Sequence, residues 1–363
     1  MRRRLFTSAL ASTALAVAND KRIKVGVLTH AEGAHLGAYL EALAVTPEVA
    51  SVSLADPSGQ TEAAARKALG TRLTAVYRDP GELLGKEKPE MALITMEAKL
   101  SPPVIAQALD AGAHVLAEKP SCVRLADFQA LVRKAESKKR HLLLALANRV
   151  DPVVMEAKRL IDSGTTGKIY GAELHIIADQ TRLTRPAYHQ TWFAKKDRAG
   201  GGHLIWLGIH WLDLVSHLTG SRIREVAAFA GNVGGQPIGV EDSAAAVLRF
   251  DKGFFSTVTS GYYLDRGYHS MIKIWGADGW LELRKHGSEI PLQWYSNRES
   301  KEGVHRYLGP TEPTGYTPFV QRVTRAFAGL EELPLSTGDG MRVLEVVFGA
   351  YRAADTKSTI SIS

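Results

Sequence analysis

The stretch AGAHVLAEKPS, residues 111–121, decides the fold. A helical segment ends at Gly112, the apolar run His114–Ala117 follows, and Glu118, Lys119 and Pro120 come directly after it. A short apolar run between two helical segments is a strand buried on both faces. Upstream, Ile23–Leu28, Val49–Ala55, Thr74–Tyr77 and Met91–Thr95 are strand-like runs separated by helical segments, and His141–Leu146 closes the series. Strands alternating with helices predict an α/β arrangement, a doubly wound parallel sheet with helices on both faces. Ligands of such sheets sit at the carboxyl ends of the strands. Glu118 and Lys119 therefore stand at the mouth of a binding cleft.

The first strand runs into VGVLTHAEGAHL, residues 25–36. Strand, turn and helix in that order is the setting of a Rossmann dinucleotide-binding turn, whose glycines let a pyrophosphate approach the backbone at the helix N-terminus. Here only Gly26 and Gly33 are glycines. Thr29, Ala31 and Ala34 stand where glycine or another small residue is expected, and His30 and Glu32 add polar bulk. Asp56 strengthens the reading: it ends the second strand, 23 residues beyond Gly33. A carboxylate about 20 residues past the turn accepts hydrogen bonds from the adenosine ribose. No arginine follows Asp56 immediately, which favours NAD over NADP. The competing reading makes Asp56-Pro57 a plain strand-ending turn. The expected cofactor contacts are Thr29, His30, Ala31, Gly33, Asp56, Glu118 and Lys119.

After Asn148 the rhythm changes. A helix over about 152–163 leads into a long strand over 169–178, and a polar stretch runs to Ala199. Beyond Val226 come the alternating runs AAAVLRF, GFFSTVTSGYY and SMIKIWGADGWLEL, with hairpin signals at Asp251-Lys252-Gly253 and Ala277-Asp278-Gly279. The chain of 363 residues exceeds one ordinary core. Residues 19–147 are expected to form the Rossmann domain and residues 148–363 an α+β domain with a mainly antiparallel open sheet. A helix near 340–355 is expected to pack back toward the first domain.

The second domain contains GGGHLIWLGIHWLDLVSHL, residues 200–218. His203, Trp206, His210, Asp213 and His217 are spaced 3, 4, 3 and 4, which on an α-helix places all five on one face. Leu204, Leu207, Trp211, Leu214 and Leu218 form an apolar stripe beside them.

Together these passages resemble the Gfo/Idh/MocA oxidoreductases. The resemblance covers nearly all of residues 19–363: Asp56-Pro57, EKP at 118–120, ANRVDP at 147–152, IDSGTTGKIYGA at 161–172, WFAKKDRAGGG at 192–202 and YRAADT at 351–356. It implies a nicotinamide-dependent oxidoreductase acting on a sugar or polyol, with NAD held tightly and copies assembled as a homodimer or homotetramer. It places Lys119 between the nicotinamide and the substrate hydroxyl, steadying the reacting oxygen, with His210 as the acid/base. The family pattern has an Asp four residues before that His; this chain has Trp206, which stacks on a sugar face or fills space but exchanges no proton. His203, Trp206, Asp213 and Trp192 are expected around the substrate, Asp213 chiefly to orient His210. Met96, Glu97 and Ala98 replace a Thr-Pro-Asn-like turn, and Glu97 is either a second acid or a solvated loop residue. Tyr262, Tyr263 and His269 either line the cleft or cover the sheet. No metal is expected. Two other readings stand beside this one: a redox-neutral glycosidase working on one bound NAD, and a non-catalytic sugar-binding relative.

Hydrophobic content of 45% and charged content of 23% belong to a globular chain. The net charge is +7, of which Arg2, Arg3 and Arg4 supply three, and the rest is not clustered, which argues against a nucleic-acid partner. Cys122 is the one cysteine, so no internal disulfide forms, and it reads as a small packed hydrophobe. MRRRLFTSALASTALAVA, residues 1–18, reads as a twin-arginine-like signal peptide, too short and too weakly apolar to span a membrane. It predicts an exported, periplasmic protein whose NAD travels inside the folded chain and is recycled in place.

Overall fold

A computed structural model of the chain describes residues 21–286, 288–299 and 303–363. The expected signal segment, residues 1–18, lies outside them. The first half alternates as anticipated: β1 (Ile23–Thr29), α1 (Leu36–Val45), β2 (Val49–Ala55), α2 (Glu62–Leu69), β3 (Leu73–Tyr77), α3 (Pro80–Glu87), β4 (Met91–Thr95), α4 (Ser101–Asp110), β5 (His114–Ala117), α5 (Leu125–Ser137) and β6 (Leu142–Leu144). The strands pair in parallel in the order β3-β2-β1-β4-β5-β6. Every residue of β4 and β6 is buried, as a continuous apolar run under helices on both faces requires. The order reverses between β1 and β4, and a crevice opens beyond their carboxyl ends.

The second half contains α6 (Pro152–Asp162), β7 (Ile169–Asp179), α7 (Pro186–Gln190), α8 (Lys196–Ala199), a π-helical turn (Leu204–Gly208), α9 (Ile209–Thr219), β8 (Ile223–Gly231), β9 (Ser243–Phe250), β10 (Phe255–Leu264), β11 (Tyr268–Gly276), β12 (Gly279–Leu283), β13 (Leu292–Ser296), β14 (His305–Arg306), α10 (Tyr316–Phe327), α11 (Thr337–Thr356) and β15 (Ile360–Ser361). Its nine-stranded sheet has the order β14-β13-β12-β11-β7-β10-β9-β8-β15. Only β7 and β10 run parallel; the other pairs are antiparallel. Along much of β9 buried and exposed residues alternate, because one face meets the core and the other meets solvent.

Two helices tie the halves together. In α11, a reciprocal Ser336–Asp339 cap starts the helix. The helix then packs on β8 and also on α5 and β6, with Gly340 against Leu144. The helix α10 has no counterpart in the sequence reading. It follows a polar, turn-rich stretch, and its apolar residues Phe319, Val320, Val323 and Phe327 form one stripe among Thr and Arg residues. That stripe packs against α1, so the chain returns to the first sheet and lays Tyr316 over its cleft.

The GGG segment before the π-helical turn is an anchored entry to the helix. Gly202 N–H donates to Glu241 Oε2 at 2.6 Å, Leu204 N–H donates to Oε1 at 3.0 Å, and the Tyr351 hydroxyl donates to Oε1 at 2.7 Å. A Cβ on Gly202 would overlap the Glu241 carbonyl oxygen, which is backbone and does not yield easily. Gly202→Ala is therefore expected to cost about 2–3 kcal/mol in urea unfolding. Gly231→Ala, where no atom lies within 4 Å of the new Cβ, should stay within about 0.5 kcal/mol of the parent chain.

Candidate active site

The turn after β1 is closed from inside. Thr29 is fully buried, and its hydroxyl donates to the Thr95 carbonyl at 2.8 Å, so it braces β1 to β4 and presents no side chain to a ligand. A Cβ on Gly33 would lie 2.6 Å from that same carbonyl, so only glycine lets the turn fold this tightly. His30 crosses to the β4 side, where Glu97 N–H donates to its Nε2 at 2.8 Å. Ala31 and Glu32 are exposed. The helix α1 begins with no side-chain cap and no acidic residue in its first turn. Its free N–H groups and positive dipole end face the crevice, the arrangement that binds phosphate.

Asp56 sits at the end of β2, buried. Its Oδ1 accepts from Ser58 N–H at 2.9 Å and Ser58 Oγ at 2.7 Å, and its Oδ2 accepts from Thr61 N–H at 2.9 Å and Thr61 Oγ1 at 2.7 Å. Burial pushes the carboxyl up, and the bonds from Thr61 and Ser58 more than reverse it, so Asp56 stays ionised. The strand-ending turn and the acidic ribose position are thus one structure. Arg78, from the end of β3, reaches the Asp56 carbonyl at 3.4 Å but is shared with Glu62 at 3.4 Å.

At the end of β5, Glu118 and Lys119 are 2% and 3% exposed. Glu118 Oε2 accepts from the Tyr39 hydroxyl at 2.5 Å and the Tyr316 hydroxyl at 3.1 Å, while Oε1 is buried with no hydrogen-bond partner. His35 Nδ1 lies 3.4 Å from Oε1. Lys119 Nζ donates to the Trp206 carbonyl at 2.5 Å and stands 4.5 Å from the centroid of the Trp206 ring. Burial lowers the Lys119 pKa to about 8, with Glu118 opposing the shift.

The five-residue face expected over 203–217 is broken by the π-helical turn, which rotates the residues before it away from those after it. His203 is fully buried, 2.7 Å from Ser260 Oγ through Nδ1 and edge-on to Tyr262. Burial lowers its pKa to about 3. Trp206 covers Lys119. His210 is half-buried, with Nδ1 buried and unpartnered, and burial together with the charges of Lys119 and Lys285 pushes its pKa well below the ordinary value. Asp213 does not orient His210. It is 3% exposed, and its two oxygens accept from Arg149 at 2.9 and 2.5 Å. Trp192 makes no substrate surface either: it is fully buried, stacked on Phe193 and edge-on to Trp206, and its Nε1–H donates to the Glu32 carbonyl at 3.2 Å. It supports Trp206 from behind. Glu97 is neither a free acid nor solvated, because Arg198 grips both of its oxygens. Tyr262 is buried edge-on against His203, whereas Tyr263 and His269 are exposed.

The sequence reading missed Tyr39, His35, Tyr316, Arg149 and Arg182. His35 precedes α1 in a left-handed conformation and Tyr39 sits in the first turn of the helix, and both reach Glu118. Tyr316 comes from the unread helix α10. Arg182 lies in the polar stretch after β7 and rests over the Tyr262 ring, 5.5 Å from its centroid.

Comparison with known proteins agrees with this geometry. Residues 25–146 match the oxidoreductase family with an NAD-binding Rossmann fold, and residues 154–282 match the GFO/IDH/MocA C-terminal domain. The chain is 29% identical over 333 residues to an uncharacterized oxidoreductase of Schizosaccharomyces pombe, covering 83% of this chain and 89% of that protein. It is 24% identical over 206 residues to a myo-inositol 2-dehydrogenase of Thermotoga maritima, covering 56% and 59%. Its fold matches that of a levoglucosan dehydrogenase solved with NADH and levoglucosan, at a TM-score of 0.83 and 19% identity over 94% of this chain and 100% of that one.

Asp213→Asn tests the reassignment of that residue. Weakening a buried ion pair should lower stability by about 3 kcal/mol in denaturant unfolding. Turnover and substrate KM, measured well below the unfolding temperature, should remain those of the parent chain, whereas an orienting partner of His210 would show a fall in turnover.

Proposed function

The chain belongs to the GFO/IDH/MocA oxidoreductase family, and we propose that it moves a hydride between NAD and a hydroxyl-bearing carbon of a sugar or polyol. The observation that carries this reading is Lys119, buried at the carboxyl end of β5, whose charge is felt at His210, where Nδ1 is buried and unpartnered. The residues fit the dinucleotide. The uncapped start of α1 and the Gly33 turn suit its phosphates, and Asp56 suits a ribose hydroxyl. When bound, NAD supplies the hydride acceptor.

The chain's own residues handle the oxygen and its proton. A proton-transfer group works best with a pKa near the working pH. Lys119, at about 8, meets that condition, and His210, held far below its ordinary value, does not. The acid/base role therefore moves from His210 to Lys119. In oxidation the neutral amine of Lys119 takes the hydroxyl proton. The ammonium so formed then hydrogen-bonds the new carbonyl oxygen and steadies its charge. His210 stays neutral and offers Nδ1 to orient the hydroxyl. Trp206, propped by Trp192 and Phe193, closes the cleft against water and gives a flat surface for a sugar ring. A sugar or polyol substrate is supported by two proteins this chain is similar to, the myo-inositol 2-dehydrogenase and the levoglucosan dehydrogenase.

The same reading includes NAD that is retained through purification. Residues 1–18 read as an export signal, and on that reading the chain crosses already folded around its cofactor, since free NAD is not expected outside the cytoplasm. Pairing of copies is supported by Tyr170, Phe229, Val247, Phe255 and Trp275, large apolar residues exposed on the strands of the nine-stranded sheet.

The pH profile tests the mechanism. The amine of Lys119 is populated above about pH 8, so kcat/KM for oxidation should rise through an apparent pKa near 8, and that for carbonyl reduction should fall through it. Lys119→Met should lose about 100- to 10,000-fold in turnover and lose that limb of the profile. A parent profile flat from pH 7 to 9 would contradict the assignment.

A further inference from the structure

We propose that Glu241 and Tyr351 are positioning residues for Lys119: together they fix the entry to the π-helical turn, and through it the Trp206 carbonyl that holds the amine. The inference rests on the reading above for what Lys119 does in the reaction. The first four N–H groups of a helix have no partner within it. At this entry all four go to the same two residues. Gly202 N–H donates to Glu241 Oε2 at 2.6 Å, and His203 N–H donates to the Glu241 carbonyl at 3.2 Å. Leu204 N–H donates to Glu241 Oε1 at 3.0 Å, and Ile205 N–H to the Tyr351 hydroxyl at 3.2 Å. Trp206 N–H then donates to the Gly202 carbonyl at 3.1 Å, which closes the first turn. The carbonyl of that same Trp206 accepts from Lys119 Nζ at 2.5 Å. Three hydrogen bonds thus lead from the Glu241 carboxylate to the amine, with only Gly202 and Trp206 between them.

Both residues are buried and stand on fixed elements. Tyr351 belongs to α11, which packs on β8 and also on α5 and β6 of the first sheet. Glu241 lies just before β9, next to Asp242. The Asp242 N–H donates to the Gly231 carbonyl at 3.2 Å, and its carbonyl accepts from Tyr262 N–H at 3.0 Å. Two glycines let the pair come this close: a Cβ on Gly201 would overlap the Tyr351 hydroxyl, and one on Gly202 the Glu241 carbonyl oxygen. Gly202 N–H, Leu204 N–H and the Tyr351 hydroxyl converge on the two carboxylate oxygens, so both oxygens must accept. An amide of the same shape has one accepting oxygen and sets its amino group against a donor. The charges felt at Lys119 are those of Glu118 and Arg182. Glu241 therefore acts on the amine through the backbone of the turn and not through its own field.

The test is an NMR titration of Lys119 in the parent chain, Glu241→Gln and Tyr351→Phe, followed at the lysine side-chain carbons and assigned with Lys119→Met. A hydrogen bond to an ammonium favours its charged form, so displacing the Trp206 carbonyl lowers the pKa. Lys119 should titrate about one unit lower in both variants than in the parent chain. The limb of kcat/KM for oxidation should move to lower pH with it. Tyr351→Phe fills the same volume and leaves the charge of Glu241 in place, so it decides the question where Glu241→Gln does not fold. A near-ultraviolet circular dichroism spectrum like the parent's identifies a folded variant. A folded variant of either kind that keeps the parent's Lys119 pKa, whatever its loss of stability, would overturn the proposal and leave the pair a structural cap alone. A lowered Lys119 pKa in both variants, with no kinetic limb at the Lys119 pKa of the parent, would leave this inference standing and overturn the acid/base reading, so the two failures are distinct.

Discussion

An ammonium taken out of water at the end of β5 is the constraint from which the rest of the site follows. A buried lysine loses most of its hydration, and unless partners replace it the charge is strongly disfavoured. Here the replacements come from four separate elements. The π-helical turn supplies the Trp206 carbonyl and ring. The adjacent residue, Glu118, supplies a counter-charge 3.9 Å away. That carboxylate is in turn held by Tyr39 of α1 and Tyr316 of α10. The first sheet, its opening helix, the returning helix and the entry to α9 must all be in place before Lys119 is tolerable. The partial compensation leaves its pKa near the range where a proton can move either way.

The π-helical turn has a second effect. An α-helix from His203 to His217 would present its polar residues as one row. The wider turn fans them out. His203 goes to Ser260 and Tyr262, Trp206 to Lys119, and Asp213 to Arg149. Three residues that look like one constellation in the sequence thus serve three different parts of the structure. Trp206 packs over the Lys119 amine. It forms a dry wall beside the amine and leaves its own Nε1 buried and unpartnered.

Much of the fold was legible because its signals are local. The apolar runs at 49–55, 91–95 and 114–117 coincide with β2, β4 and β5, and the hairpin turns at 251–253 and 277–279 join antiparallel strands. EKP at a strand end could be read for the same reason. What escaped were facts of tertiary pairing. Asp213 was visible as an acid three residues from His210, but nothing local says that Arg149 would claim it. Asp56 was visible as a ribose acceptor or a turn residue, but nothing local says that Ser58 and Thr61 would hold it with four hydrogen bonds. Tyr316 was out of reach because α10 carries its apolar stripe within a polar context, and Arg182 because its stretch has no periodicity.

The central claim is that the turn after β1, Asp56 and Lys119 together form one nicotinamide site that keeps its cofactor. The most direct measurement is to purify the protein without added nucleotide, denature it, remove the polypeptide and assay the supernatant for NAD and NADP. The account predicts NAD at close to one per chain, with little NADP. No nucleotide in the supernatant, together with no heat of binding when NAD is titrated into the native protein, would contradict it.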